Sequence, residues 1–158
     1  MTPTFEPANP TADGAGALSL LIVQLDRERY ALPSAAVREI ARYRPCTPVP
    51  GAPAALPGII SQRGAILPVV DLRPVLGLPD RPLTKAARLV IGHHAGVDMA
   101  LIAEAVEDLV TLPADAFERP PAGLDPARAA LLRGIAADEA GPVALIDLDA
   151  LIAALRGA

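Results

Sequence analysis

The chain repeats its own pattern of apolar, glycine and aspartate positions, which restricts it to folds built from two similar units. Four pairs of positions define the repeat: Leu20 with Leu89, Val37 with Val106, Gly58 with Gly134, and Asp71 with Asp147. The first two pairs are 69 residues apart and the last two are 76 apart, so a seven-residue slip separates them. We interpret the chain as two related units joined near residues 78–85. Two such units packed together leave a groove between them.

The first unit is predicted to begin with short strands. An apolar run over residues 18–25, a polar turn at 26–28 and a second run ending at Leu32 predict a hairpin. Residues 37–43 alternate with a period of two, which predicts a strand preceded by a helical turn. Closely spaced prolines between residues 45 and 57 forbid a long helix, because each proline removes a backbone donor.

A second hairpin is predicted at the end of the first unit. Apolar runs over residues 58–60 and 65–70 flank a polar turn, with Arg63 and Gly64 at its tip. Asp71 follows at once and is predicted to cap a short helix, since its carboxylate can accept the unpaired N–H groups of the first turn.

The second unit repeats this order of elements. Strands are predicted over these segments: 89–91, 99–103, 106–112, 134–136 and 143–146. Asp147 is predicted to cap the last helix, in which Leu148, Leu151, Ile152 and Leu155 form one apolar face. Many short strands separated by glycine and proline indicate small β-barrels, in contrast to an open α/β sheet.

These patterns divide the chain as follows. Residues 1–17 are rich in Pro, Thr, Ala and Gly and are predicted to form a disordered tail. Residues 18–158 are predicted to form one globular region, with a first barrel over about 18–80, a second over about 85–146 and a C-terminal helix over about 147–156.

Composition excludes several classes of function. The net charge is −4, which argues against a nucleic-acid-binding protein, because phosphate contacts need a positive patch. A single cysteine, Cys46, excludes an internal disulfide framework and fits a reducing compartment. The apolar runs are far shorter than the roughly 20 residues of a membrane span, and residues 1–16 lack the features of a signal peptide. We therefore expect a cytoplasmic protein without membrane insertion.

Residues 58–73, with the sequence GIISQRGAILPVVDLR, are similar to the signature of the CheW-like family, the chemotaxis coupling proteins. The family pattern there is a glycine, an aliphatic pair, an Asn-Leu-Arg-Gly turn, an aliphatic-Pro-aliphatic strand and Asp-Leu-Arg. The segments 37–40 and 145–148 also match, so the resemblance covers about residues 18–156. It implies a mainly β fold of two intertwined small SH3-like barrels with a hydrophobic groove between them.

The resemblance also implies a function and its partners. Members of this family are adaptors that hold a CheA-type histidine kinase against the cytoplasmic tips of methyl-accepting chemoreceptors. It implies one surface for the regulatory domain of the kinase and one groove for a receptor helical hairpin, located at membrane-associated receptor arrays. A parallel array that controls pili, surface motility or a second messenger remains an alternative.

Five residues are predicted to bind these partners by their match to the family pattern: Val37, Glu39, Gly58, Arg63 and Gly64. Comparison of the two copies adds an independent reason for Arg63, because the second copy has Glu139 and Ala140 where the first has Arg63 and Gly64. The fold itself therefore does not require this arginine. For Gly58 the sequence leaves a backbone role and a contact role open, since Gly134 is a glycine too.

Several positions depart from the family pattern. In the turn, Ser61 and Gln62 stand where asparagine and leucine are usual, and Glu104 stands where the second half usually has aspartate. We expect these changes to affect the choice of receptor more than the fold.

A small hydrolase or metal protein is the alternative from another class. Cys46 with His93 or His94 could form a nucleophile and base, but proline residues frame the cysteine and no glycine-rich oxyanion loop accompanies it. Adjacent strand residues point to opposite faces, so His93 and His94 are poorly placed to share a metal ion. We therefore expect a non-enzymatic protein with no catalytic residues, no cofactor and no metal.

Overall fold

The computed structural model describes residues 16–157, which form eleven β-strands and three α-helices. The strands are β1 Ala17–Leu25, β2 Glu28–Pro33, β3 Val37–Arg42, β4 Thr47–Pro48, β5 Gly58–Gln62, β6 Ala65–Val70, β7 Arg88–His94, β8 Val97–Ala103, β9 Ala105–Pro113, β10 Leu132–Asp138 and β11 Gly141–Ile146. The helices are α1 Leu72–Leu76, α2 Pro126–Ala129 and α3 Leu148–Arg156. The predicted disordered tail lies outside the described residues except at positions 16 and 17.

The strands form two sheets, and each sheet takes strands from both halves of the chain. Sheet 1 has the order β10-β11-β2-β1-β9, and sheet 2 has the order β3-β7-β8-β6-β5-β4. The fold is therefore mainly β, with two intertwined small barrels and a short C-terminal helix, as predicted.

The intertwining arises because each half contributes its first two strands to the sheet formed mainly by the other half. Strands β1 and β2 join β9, β10 and β11 in sheet 1, and strands β7 and β8 join β3 to β6 in sheet 2. After β2, a 3-10 turn over Ser34–Ala36 redirects the chain, and β3 pairs antiparallel with β7. Strand β9 pairs in the same way with β1. Neither sheet therefore coincides with one of the predicted segments 18–80 and 85–146.

The hydrophobic core lies mainly between the sheets. Its central cluster combines residues of both halves, among them Leu21, Leu72, Met99 and Leu151, all at most 2% exposed. Because this cluster belongs to neither half alone, the two barrels pack as one body.

Local turn and cap signals have the structures that the sequence predicts. Arg63 and Gly64 have φ values of 49° and 83°, the left-handed pair that a two-residue hairpin turn requires. Asp71 accepts a hydrogen bond from the Arg73 backbone N–H at 3.0 Å, and Asp147 accepts one from Ala150 at 3.0 Å. Each aspartate thus caps the helix that follows it. None of the helices within residues 16–157 has the length and apolar character needed to cross a bilayer.

Candidate partner-binding surface

Arg63 projects from the tip of the β5–β6 hairpin, with 77% of its side chain exposed. Its guanidinium donates to Glu39 on β3 through Nε to Oε1 at 2.9 Å and through Nη2 to Oε2 at 2.9 Å. The two residues are 24 positions apart in the sequence, and β3 and β5 are at different places in sheet 2. The fold therefore brings together two of the predicted site residues in a two-point ion pair.

The ion pair fixes the charge of both partners. Hydrogen bonds from Arg63 lower the pKa of Glu39, and the same bonds raise the pKa of Arg63. Both groups are thus charged across the physiological pH range. Within the described residues, Arg63 Nη1 makes no hydrogen bond, so the exposed arginine keeps donors that can contact a partner.

The end of β5 next to the turn is held by a second arginine. Arg44 Nη2 donates to the Ser61 carbonyl oxygen and to Gln62 Oε1, the latter at 2.8 Å. Gln62, which departs from the family pattern, therefore has a local role as an acceptor for Arg44. A leucine at this position could not accept that bond.

Ile66 lies just beyond the hairpin turn and is an exposed apolar residue that the sequence patterns did not single out. It is 65% exposed, opposite Ser61 on the outer face of the hairpin. Ile40, next to Glu39 on β3, is 44% exposed. The signal was present in the alternation of β6, where Leu67 and Val69 point inward and Ile66 and Pro68 point outward. We refer to Glu39, Arg63, Gly64 and Ile66 together as the hairpin surface.

The two predicted glycines shape the hairpin from inside. A Cβ atom on Gly58 would lie 2.2 Å from the Thr47 carbonyl oxygen and 2.8 Å from Cys46 Sγ, so β4 can pair closely with β5 only at a glycine. Gly134 has the same role, because its Cβ would lie 2.9 Å from the Glu118 carbonyl oxygen. The backbone role of Gly58 left open by the sequence is therefore close packing. Contact of Gly58 or Gly64 with a partner stays a prediction.

Val37 lies apart from the hairpin surface, in a narrow apolar cleft between the two sheets. We call this the inter-sheet cleft; its lining includes Leu32, Val37, Val90, Met99, Leu101 and Leu148. These residues come from strands of both sheets and from α3, so the cleft depends on the packing of the two halves. It lies between the two halves, but its volume is only about 10 Å³, so a groove that takes a partner helix stays a prediction.

The histidines and the cysteine do not form one site. His93 Nδ1 lies 2.5 Å from Asp98 Oδ1, whereas His94 Nε2 lies 2.8 Å from Asp149 Oδ1. Cys46 instead packs beside Gly58, at the β4–β5 edge. Within residues 16–157, no group of three His, Cys, Asp or Glu side chains is arranged to hold a metal ion.

Comparisons with known proteins agree on one family. A family model described as the CheW-like domain matches residues 19–156. The chain is 29% identical to the chemotaxis protein CheW of Rhizobium meliloti (strain 1021) over 136 residues, which cover 86% of this chain and 88% of that protein. It is 26% identical to CheW of Bacillus subtilis (strain 168) over 133 residues, covering 84% and 85% of the two chains.

A solved structure gives the same result for the fold. The crystal structure of the scaffolding protein TtCheW from Thermoanaerobacter tengcongensis matches with a TM-score of 0.75 and 29% sequence identity. The match covers 83% of this chain and 84% of that one. Sequence signature, family model and fold together place the chain in the CheW-like domain family.

Proposed function

We propose that the protein is a non-catalytic adaptor that couples chemoreceptors to a CheA-type histidine kinase in a chemosensory array. The observation that carries the proposal is the hairpin surface, where an oriented arginine and an exposed isoleucine project from one β-hairpin. A charge held in place beside an apolar side chain is a common arrangement at protein interfaces, because little side-chain entropy is lost on binding.

In this proposal, each of two surfaces binds one partner. The hairpin surface contacts the regulatory domain of the kinase, where Ile66 supplies apolar area and Arg63 meets a carboxylate or carbonyl group. The surface around Val37, at the mouth of the inter-sheet cleft, contacts an amphipathic receptor helix, because the side chains there are largely aliphatic. Binding at both surfaces at once would join the two partners.

Charge reversal at the hairpin surface tests the proposal. In Arg63→Glu, a carboxylate faces Glu39 and replaces the exposed cation, so we expect binding to the kinase regulatory domain to weaken by about tenfold or more. The affinities for the kinase domain and for a soluble receptor-tip fragment are measured separately by calorimetry. The control is Arg119→Glu, which changes the net charge equally at an exposed position outside both surfaces.

A charge swap separates the two roles of Arg63. The double variant Glu39→Arg with Arg63→Glu restores an ion pair within the protein but reverses the charge that the tip presents. If the partner contacts Arg63 directly, the swap binds as weakly as the single variant. Full recovery by the swap would mean that only the internal pair matters, and unchanged affinity of Arg63→Glu for both partners would remove Arg63 from the interface.

A further inference from the structure

A cavity with three cationic side chains opens between β3, β7 and the segment that joins the two halves of the chain. Its volume is about 460 Å³, and it is open to solvent, since Arg42, Thr84 and Lys85 are exposed. The lining residues are Arg42, Tyr43, Thr84, Lys85, Ala87 and Arg88. None of these six side chains is acidic, although the whole chain has a net charge of −4.

The three cations have no compensating carboxylate within residues 16–157. No ion pair joins Arg42, Lys85 or Arg88 to an acidic side chain of these residues. Arg88 Nη1 donates to the carbonyl oxygens of Lys85 and Ala87, both at 2.9 Å, which fixes its guanidinium at the cavity. The remaining donors of Arg88 and the head groups of the other two cations are left for a ligand.

The pairing of the strands concentrates this charge. Arg42 on β3 lies directly opposite Arg88 on β7, and like charges at opposed positions of an antiparallel pair repel each other. By contrast, Arg29 on β2 is paired with two carboxylates, Glu107 and Asp138. A bound anion would relieve the repulsion between Arg42 and Arg88.

We propose that this cavity binds a soluble phosphorylated small molecule, whose phosphate groups lie between Arg42, Lys85 and Arg88. Guanidinium groups bind phosphate oxygens at two points, and three positive charges match a group that carries two or more negative charges. The Thr84 hydroxyl can donate a further hydrogen bond, and the half-buried ring of Tyr43 gives an apolar wall for the organic part. The site is separate from the hairpin surface and from the inter-sheet cleft, so it does not depend on the proposed adaptor function.

Pyrophosphate is the probe for this proposal. Calorimetric titration of the full chain at an ionic strength of about 0.05 M, where screening is modest, should give a Kd below about 1 mM. The double variant Arg42→Gln with Lys85→Gln should bind at least about tenfold more weakly, because it removes two of three charges and leaves the backbone contacts of Arg88 intact. Arg38→Gln is the matched control, because Arg38 is exposed on the same strand but does not line the cavity.

Four results would overturn the proposal. The first is the absence of pyrophosphate binding by the parent chain, and the second is an equal loss in Arg38→Gln and in the double variant. The third is binding confined to vesicles that contain phosphatidylglycerol, which would assign the cations to a lipid surface. Citrate that binds as tightly as pyrophosphate would likewise refute selectivity for phosphate. Circular dichroism melting of each variant confirms that the domain is folded.

Discussion

Arg73 joins the two halves of the chain, and its replacement tests how strongly this junction stabilises the fold. Its side chain is 5% exposed and lies between Asp71 and Glu104, which belong to different halves. Nε and Nη2 donate to the two Asp71 oxygens at 3.0 Å each, and Nη1 donates to the Arg81 carbonyl oxygen at 2.8 Å and to Glu104 at 3.3 Å. The hydrogen bond with Asp71 is the largest cause that raises the pKa of Arg73.

The variant Arg73→Met removes the guanidinium and leaves two largely buried carboxylates. Breaking a buried ion pair by removing one partner costs about 3–5 kcal/mol. Each carboxylate keeps one donor, because Asp71 still accepts the backbone N–H at position 73 and Glu104 still accepts that of Asp26 at 2.9 Å. We therefore expect the lower end, a loss of about 3 kcal/mol in the free energy of unfolding, which lowers Tm by about 6–12 °C for a chain of this size.

Urea denaturation followed by circular dichroism measures this loss. The control Arg81→Met breaks the ion pair between Arg81 and Asp26, whose side chains are 36% and 28% exposed. Because this pair is partly solvated, the variant should lose less than about 1 kcal/mol in the free energy of unfolding. Arg73→Lys should recover only part of the stability, because an ammonium group lacks the fork that binds both Asp71 oxygens. A loss below about 1 kcal/mol in Arg73→Met, or one equal to that of Arg81→Met, would refute the assignment of Arg73 as the junction.

Two further predictions concern packing and pH. Gly58→Ala should lower the free energy of unfolding by about 1–3 kcal/mol, because the added Cβ meets the Thr47 carbonyl oxygen. The control Gly123→Ala has open space around the added Cβ and should change this free energy little. Equal free energies of unfolding for the two variants in urea denaturation would contradict the prediction. Hydrogen bonds from Arg29 lower the pKa of Asp138, so this pair stabilises the fold above the ordinary aspartate pKa and the contribution is lost as the pH falls through the lowered value. The difference in the free energy of unfolding between the parent and Arg29→Met should therefore become smaller as the pH falls from about 5 to about 2. A difference that stays constant over this range would argue against a stabilising pair between Arg29 and Asp138.

Much of the candidate site could be predicted because its signals are local. The hairpin turn at Arg63 and Gly64 requires left-handed backbone conformations, and such a requirement can be recognised from a few neighbouring residues. The bond between Arg63 and Glu39 could not be predicted in this way, because it joins segments whose approach depends on the closure of sheet 2. For Ile66, the alternation of β6 places it on the face opposite to Leu67 and Val69, but alternation alone does not tell which of the two faces another element covers.

The cationic cavity was also beyond prediction from the sequence. Arg42 and Arg88 are far apart in the chain, and they become neighbours because β3 crosses to pair with β7. In a repeat protein, strand β3 could equally have paired within its own half, since equivalent strands present similar apolar patterns. The sequence therefore does not distinguish the two pairings.

The sequence by itself determined the division into two similar halves and the local elements of each half, which are short strands, hairpins and a helix capped by aspartate. These features depend on the steric and hydrogen-bonding preferences of residues close together in the chain. Tertiary structure alone decided that the halves exchange strands, that Arg73 bridges them and that charged side chains from distant segments meet at the hairpin surface and the cavity. The physical reason is that burial of one shared core favours the exchanged pairing, and no local preference of the backbone contains that information.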